Sequence, residues 1–299
     1  MEESFKTFIK VMQCNHSMGK KVDAIHIGPG KSGSTWLWHC FREHPQIYVH
    51  EETDSTHYYS MYYHLKGKGW YDGLFKGAQQ DQVCVEMCND YLASPMAPER
   101  IYHDNPDAKI ITVLRNPLDR AFSAYWHGKK KGEFNYRFEQ VLESYSLYWH
   151  WLETSFYATY LEKYFRLFNS DNIIVLFYDD LKKDPKDFLR QIYDFLGVKE
   201  HFDENLLKNK VNQAGSKTNV GTKTISHMGR FMDRTPLRKV ASKLERKGVG
   251  NFLRSKVSDK SEYERGMDSA LRKKLLQIIE PEIMRLETLL NLNLQSWKK

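Results

Sequence analysis

Val22-Asp23-Ala24-Ile25-His26-Ile27-Gly28-Pro29-Gly30-Lys31-Ser32-Gly33-Ser34-Thr35-Trp36 passes from a short apolar run, through three glycines, into a segment with helical spacing from Leu37 to Glu43. The order is strand, glycine-rich turn, helix. Glycines let the backbone curl so that successive N–H groups converge, and the helix that follows adds the positive end of its dipole. An anion suits such a turn. Lys31 supplies a mobile positive charge, and the hydroxyls of Ser32, Ser34 and Thr35 can donate to oxyanions. A nucleoside-triphosphate kinase loop ending in Gly-Lys-Ser is a competing reading, but it needs a glycine five residues before the one preceding the lysine, where this chain has Ile25. Asp179 and Asp180, after a later strand, would have to supply the magnesium-holding aspartate of that alternative.

A second stretch repeats the pattern. Ile111 to Leu114 reads as a strand, Arg115-Asn116-Pro117-Leu118-Asp119-Arg120 as a polar turn, and Ala121 to Tyr125 as helix, with Pro117 where a first helical turn tolerates proline. Arg115 offers a planar fork for a phosphate, and Ser123 lies about two turns into the helix. Two anion sites after two strands suggest a ligand with phosphate-like groups at both ends of a nucleoside.

Working outward, apolar β-branched runs mark buried strands at Val22 to Ile27, Val83 to Glu86, Ile110 to Leu114 and Ile173 to Phe177. Phe188, Ile192 and Phe195 keep helical spacing up to Gly197, a C-terminal cap, and Leu271, Leu275, Ile279, Ile283, Leu286 and Leu290 mark a long amphipathic helix. Strands alternating with helices imply right-handed crossovers and a mainly parallel sheet whose ligands bind beyond the carboxyl ends of the strands. The expected fold is one α/β domain over residues 1–299, a central parallel sheet flanked by helices with a P-loop NTPase-like topology.

With 41% hydrophobic and 28% charged residues, the 299-residue chain has the composition of a globular protein. Cys14, Cys40, Cys84 and Cys88 are too few for a disulfide framework, and their spacing completes no zinc motif. No apolar run reaches the roughly 18 residues that span a bilayer, so the expectation is a soluble, cytoplasmic chain with no membrane partner. The net charge of +7 is matched by the segment between His227 and Lys256, where nine lysines and arginines face Asp233 and Glu245. That strip suits an anionic acceptor or a solvated helix face better than a nucleic-acid footprint.

Together the two anion motifs resemble the sulfotransferases that use 3′-phosphoadenosine-5′-phosphosulfate (PAPS). Lys31 to Trp36 match that family's K-S-G-[ST]-T-W loop, and Arg115 to Tyr125 match its R-N-P-x-D-R-x-x-S-x-Y stretch. The likeness extends to Gly69-Trp70-Tyr71, to Tyr178-Asp179-Asp180-Leu181, and to the tail from Leu286 to Trp297. His44-Pro45, Glu86 and Pro98 to Tyr102 look more like the bacterial and heparan-type branch. The resemblance implies a sulfotransferase fold and PAPS as co-substrate, with no metal. It places Lys31 on the oxygen bridging phosphate and sulfonate, and Gly30, Ser32, Gly33, Ser34 and Thr35 around the 5′-phosphate. Trp36 would lie against adenine, Arg115 and Ser123 would hold the 3′-phosphate, and Lys217 would add a contact from the polar loop Asn212 to Thr224, with Lys223 behind it.

The acceptor must lose a proton as it attacks, and the family places the base after the second strand, as a Glu shortly before an aromatic pair in the heparan-type branch. Here that stretch is His50 to Tyr59, and counting back three residues from Tyr58 gives Ser55. Glu52 is favoured as the base, with Asp54 and His57 as alternatives. The aromatics Tyr145, Tyr148, Trp149, Trp151, Phe156, Tyr157, Tyr160 and Tyr164 either pack a core or line an acceptor pocket. The acceptor expected from the sequence is a small secondary metabolite with a hydroxyl or amine, the alternative an acidic polysaccharide.

Overall fold

The computed structural model describes residues 20–134, 136–208 and 266–299. Lys217, Lys223 and the basic strip of 227–256 lie outside the described residues. The chain divides into two compact units, Met1–Leu114 with Thr159–Val211, and Arg115–Ala158 with Asn212–Lys299.

The first unit holds a five-stranded, all-parallel sheet in the order β2-β3-β1-β4-β5: β1 (Ala24–His26), β2 (Ile47–Tyr48), β3 (Val83–Met87), β4 (Lys109–Leu114) and β5 (Ile173–Phe177). Four of these are the expected strands. β1 is shorter than the apolar run, although Asp23 and Ile27 still donate across to Cys84 and Ile111 at 2.9 Å. β2 has two residues, too few for any period to show. β1 sits between β3 and β4: the chain leaves β1 towards the β2 edge, whereas from β3 and β4 it runs towards β5, and open α/β sheets bind ligands where connections diverge in this way.

Helices α1 (Ser34–Glu43), α2 (Tyr63–Gly73), α3 (Ala97–Asp104), α7 (Tyr178–Lys183), α8 (Pro185–Leu196) and α9 (Glu204–Lys208) belong to this unit. Asp184 caps α8 by accepting from Lys186 and Asp187 N–H, both at 3.0 Å, and Gly197 ends it in the left-handed conformation. Phe188, Leu189 and Ile192 of α8 join Leu37 and Phe41 of α1, Val85, Ile111 and Leu176 in one buried cluster. His44 is buried as well. Its Nε2 meets the Lys199 carbonyl oxygen at 2.8 Å, and its Nδ1 accepts from Gln46 N–H at 3.1 Å.

The second unit contains α4 (Pro117–Lys131), α5 (Tyr145–Trp151) and α10 (Ser269–Leu290); α6 (Tyr157–Leu167) begins in it and continues into the first. α10 buries Leu271, Leu275, Ile279, Ile283 and Leu286, the face its spacing foretold. Arg272 pairs with Asp119 of α4 at 2.9 Å, and Asn116 Nδ2 donates to the Trp297 carbonyl at 3.2 Å. The aromatic-rich stretch splits in two. Trp151, Tyr157 and Tyr164 are buried, whereas Tyr145 and Trp149 face solvent.

Candidate functional site at the carboxyl ends of β1 and β3

The turn after β1 is held by its neighbours on both sides. Gly28 O accepts from Thr112 Oγ1 at 2.6 Å and from Val113 N–H at 3.3 Å on β4, while Gly30 N–H donates to Asn89 O at 3.1 Å beyond β3. Gly28 has φ +97°, and a Cβ there would lie 2.6 Å from Asn89 O, so only glycine fits. Lys31 takes a left-handed backbone, φ +75°, a conformation costly for a side-chain-bearing residue. Gly33, at φ +94°, leads into α1 and rests against Tyr178 and Leu181 of α7. The first-turn amides of α1 have no acceptor within the helix, and no side chain among the described residues caps them. Ser32 is 1% exposed, and among the described residues its hydroxyl oxygen has no hydrogen-bond partner. A buried hydroxyl without a partner, next to an uncapped helix start and a lysine, fits an anionic oxygen.

Two further segments join this turn. Asp54 Oδ2 accepts from Thr35 Oγ1 at 2.8 Å, Ser55 Oγ accepts from Asn89 N–H at 3.2 Å, and Thr56 N–H donates to Met87 O at 3.3 Å. The stretch carrying the candidate bases therefore lies along the loops after β1 and β3. Glu52 is exposed, and among the described residues its carboxylate has no hydrogen-bond partner. His57, at φ +55°, brings its Nδ1 to 2.9 Å from Asp90 Oδ2. The bond to Asp90 raises the imidazole above its ordinary value against the opposing effect of partial burial. Burial works against the charge of Asp90, but hydrogen bonds from His57, Cys88 and Ser60 outweigh it and hold this carboxyl below the usual range. With Asp90 ionised, Nδ1 is the donor, and the lone pair of the imidazole is on Nε2.

Beneath them lies Glu86, buried on β3. It accepts from Thr56 Oγ1, from Tyr71 OH at 2.5 Å and from Tyr91 OH at 2.6 Å. Burial pushes its carboxyl up to about 7, and the three hydroxyl bonds restrain that rise. Tyr91 OH also accepts from Tyr59 N–H at 3.0 Å. This carboxyl and its hydroxyls fix the two backbone segments that flank His57.

In the second unit, Arg115 is the residue that follows β4. Its carbonyl accepts from Tyr157 OH at 3.0 Å, and Asn116 caps α4 by accepting from Leu118 and Asp119 N–H. Ser123 is 2% exposed on α4. Trp36, expected against adenine, is largely buried. It is 7% exposed, packs on Phe188 at 6.4 Å and donates its indole N–H to Leu206 O at 2.9 Å. Asp179 and Asp180, the aspartates of the kinase alternative, are both exposed, and Asp179 pairs with Lys182 at 2.5 Å.

In the sequence Cys88 stands out only as one of four scattered cysteines, and Asn89 and Asp90 do not stand out at all. They stand immediately after β3, where the rule that ligands bind beyond strand ends also applies, but they form no motif of their own. Glu86, read only for its resemblance, was not foreseen as a buried hub.

The sulfotransferase-domain family model matches residues 21–280. Two mouse proteins are similar over 62% of the chain. One is heparan sulfate glucosamine 3-O-sulfotransferase 6, 30% identical over 195 residues and covered over 56% of its own length. The other is heparan sulfate glucosamine 3-O-sulfotransferase 3A1, 32% identical over 196 residues and covered over 49%. The chain thus spans about half the length of these relatives. Among solved structures, a sulfotransferase from Alicyclobacillus acidocaldarius superposes with a TM-score of 0.67 at 22% identity, covering 94% of this chain and 100% of that one. No helix among the described residues is long and apolar enough to cross a membrane.

Proposed function

The chain belongs to the sulfotransferase domain family, and on that premise we propose that it transfers the sulfonyl group of PAPS to a hydroxyl or amine of an acceptor. The acceptor oxygen or nitrogen bonds to sulfur, the sulfur–oxygen bond to the 5′-phosphate breaks, and 3′-phosphoadenosine-5′-phosphate (PAP) leaves with the pair of electrons. Negative charge grows on the leaving oxygen. The Lys31 ammonium, with the amides and hydroxyls of Gly30, Ser32, Gly33, Ser34 and Thr35, stabilises it more in the transition state than in the ground state. Arg115 and Ser123 take the 3′-phosphate, with Lys217 as a further contact. The observation that carries this reading is the buried hydroxyl of Ser32, without a partner among the described residues, beside the strained Lys31 backbone at the start of α1.

We assign the proton to His57, with Asp90 as the residue that orients it. The Nδ1–Asp90 bond selects the tautomer whose Nε2 accepts a proton, as a general base requires. Glu52 has no comparable support, and Asp54 is engaged by Thr35. For the acceptor, the names of the relatives and the positive strip of 227–256 favour an anionic glycan; a small secondary metabolite is the second reading.

Calorimetry with PAP and labelled PAPS presented with glycan and small-molecule acceptors test the proposal together. Binding of PAP and passage of label to one acceptor class are the expected results. Absence of PAP binding, or phosphate transfer from ATP, would overturn it.

A further inference from the structure

His57, Cys88 and Asp90 come together from two separate stretches of chain. Cys88 Sγ lies 2.9 Å from Asp90 Oδ1 and 3.7 Å from His57 Nδ1, and His57 Nδ1 lies 2.9 Å from Asp90 Oδ2. An imidazole nitrogen, a thiol sulfur and a carboxylate thus converge within 4.8 Å of one another. Around a tetrahedral zinc ion, with bonds of about 2.0 Å to oxygen or nitrogen and about 2.3 Å to sulfur, such ligand atoms stand roughly 3.3–3.6 Å apart. The Cys88–His57 separation matches that spacing, and the two 2.9 Å contacts, made through different Asp90 oxygens, are about 0.4–0.6 Å shorter, so seating an ion requires the Asp90 carboxylate to draw back by that amount. Backbone bonds hold both segments: Cys88 N–H donates to His26 O at 2.9 Å, and Thr56 N–H to Met87 O at 3.3 Å. Cys88 is buried while the side chains of His57 and Asp90 are 38% and 44% exposed, so an ion can enter from solvent and keep a water as its fourth ligand. Ser60 Oγ, 3.1 Å from both Asp90 oxygens, supplies an outer hydrogen bond to the carboxylate.

We propose that His57, Cys88 and Asp90 form a three-ligand site for a thiophilic divalent cation of the zinc class. On binding, the Cys88 thiol gives its proton to solvent and forms a sulfur–metal bond, and the imidazole proton shifts to Nε2 so that the Nδ1 lone pair faces the ion. No oxidant or reductant takes part. An ion seated there replaces the hydrogen bond between His57 and Asp90. Where His57 is the base, a consequence that rests on the proposed function, the ion slows sulfonyl transfer.

Titration of the purified full chain with cobalt(II), followed by absorption, reads the site whether or not the chain is active. One equivalent should bring a thiolate-to-cobalt charge-transfer band and the intense visible bands of four-coordinate cobalt, both removed by added zinc. Cys88→Ser should abolish the charge-transfer band, while Cys14→Ser, Cys40→Ser and Cys84→Ser should keep it. Asp90→Asn alters a half-exposed carboxylate and should weaken cobalt binding by about tenfold or more. Circular dichroism confirms that each variant is folded. A band that survives in Cys88→Ser, or no thiolate band in the wild-type chain at millimolar cobalt, would overturn the site.

Discussion

Thr35 Oγ1 donates to Asp54 Oδ2 across 2.8 Å, joining the first turn of α1 to the segment that carries the candidate bases. The donor-binding turn and the base-bearing loop are thereby one hydrogen-bonded assembly. Thr35→Val and Asp54→Asn should each weaken PAP binding, and the double variant should lose less than their sum. Calorimetry of the four proteins should give a coupling of about 1 kcal/mol or more, as for a hydrogen bond to a charged acceptor. Strictly additive losses would separate the two elements.

The base is testable by three rate measurements. His57→Ala should slow transfer by about a hundredfold or more, the scale of a lost general base, and Asp90→Asn should slow it less. Glu52→Gln should stay close to wild type, because its carboxylate is exposed and has no partner among the described residues. A collapse confined to Glu52→Gln would return the role to that residue.

Glycine substitutions separate close approach from strain alone. Gly28→Ala places a Cβ 2.6 Å from Asn89 O at φ +97°, whereas Gly67→Ala, at φ +73°, meets nothing within 4 Å. Denaturant unfolding should show a loss of about 1–3 kcal/mol at Gly67, from its glycine-only backbone (φ +73°, ψ 164°) alone, and clearly more at Gly28. Equal losses would mean that the contact with Asn89 does not matter.

His44 gives the fold a dependence on pH. Burial lowers its imidazole below the ordinary value, against the pull of the Lys199 carbonyl, and protonation would break the bond that Nδ1 accepts from Gln46. The unfolded chain therefore takes up a proton first as pH falls through about 6.5, and stability drops in that window. His44→Asn should shrink the drop in melting temperature between pH 7.5 and pH 5, values chosen about one unit or more either side of that window. An unchanged drop would remove His44 as its source.

Much of this was legible because it is local. The strand, glycine turn and helix around Lys31 follow from neighbouring residues, as do Asn116 with Pro117 at the start of α4, Gly197 at the end of α8 and the apolar face of α10. What the sequence concealed is long-range. His57, in the segment after β2, meets Cys88 and Asp90, just after β3, only because β2 and β3 are adjacent in the sheet, and no spacing along the chain encodes that. Trp36 is a further case: its motif placed it on the nucleotide, and its packing against Phe188 and its N–H bond to Leu206 O, both made across long stretches of chain, could not be read from the motif. β2 escaped notice because a pair of residues has no periodicity.

Lys31→Ala tests the central claim most directly, with turnover and PAP affinity measured on the same preparation. If the ammonium acts on the leaving oxygen, the rate of sulfonyl transfer should fall by about a hundredfold or more while PAP still binds. Full turnover in that variant would contradict the account.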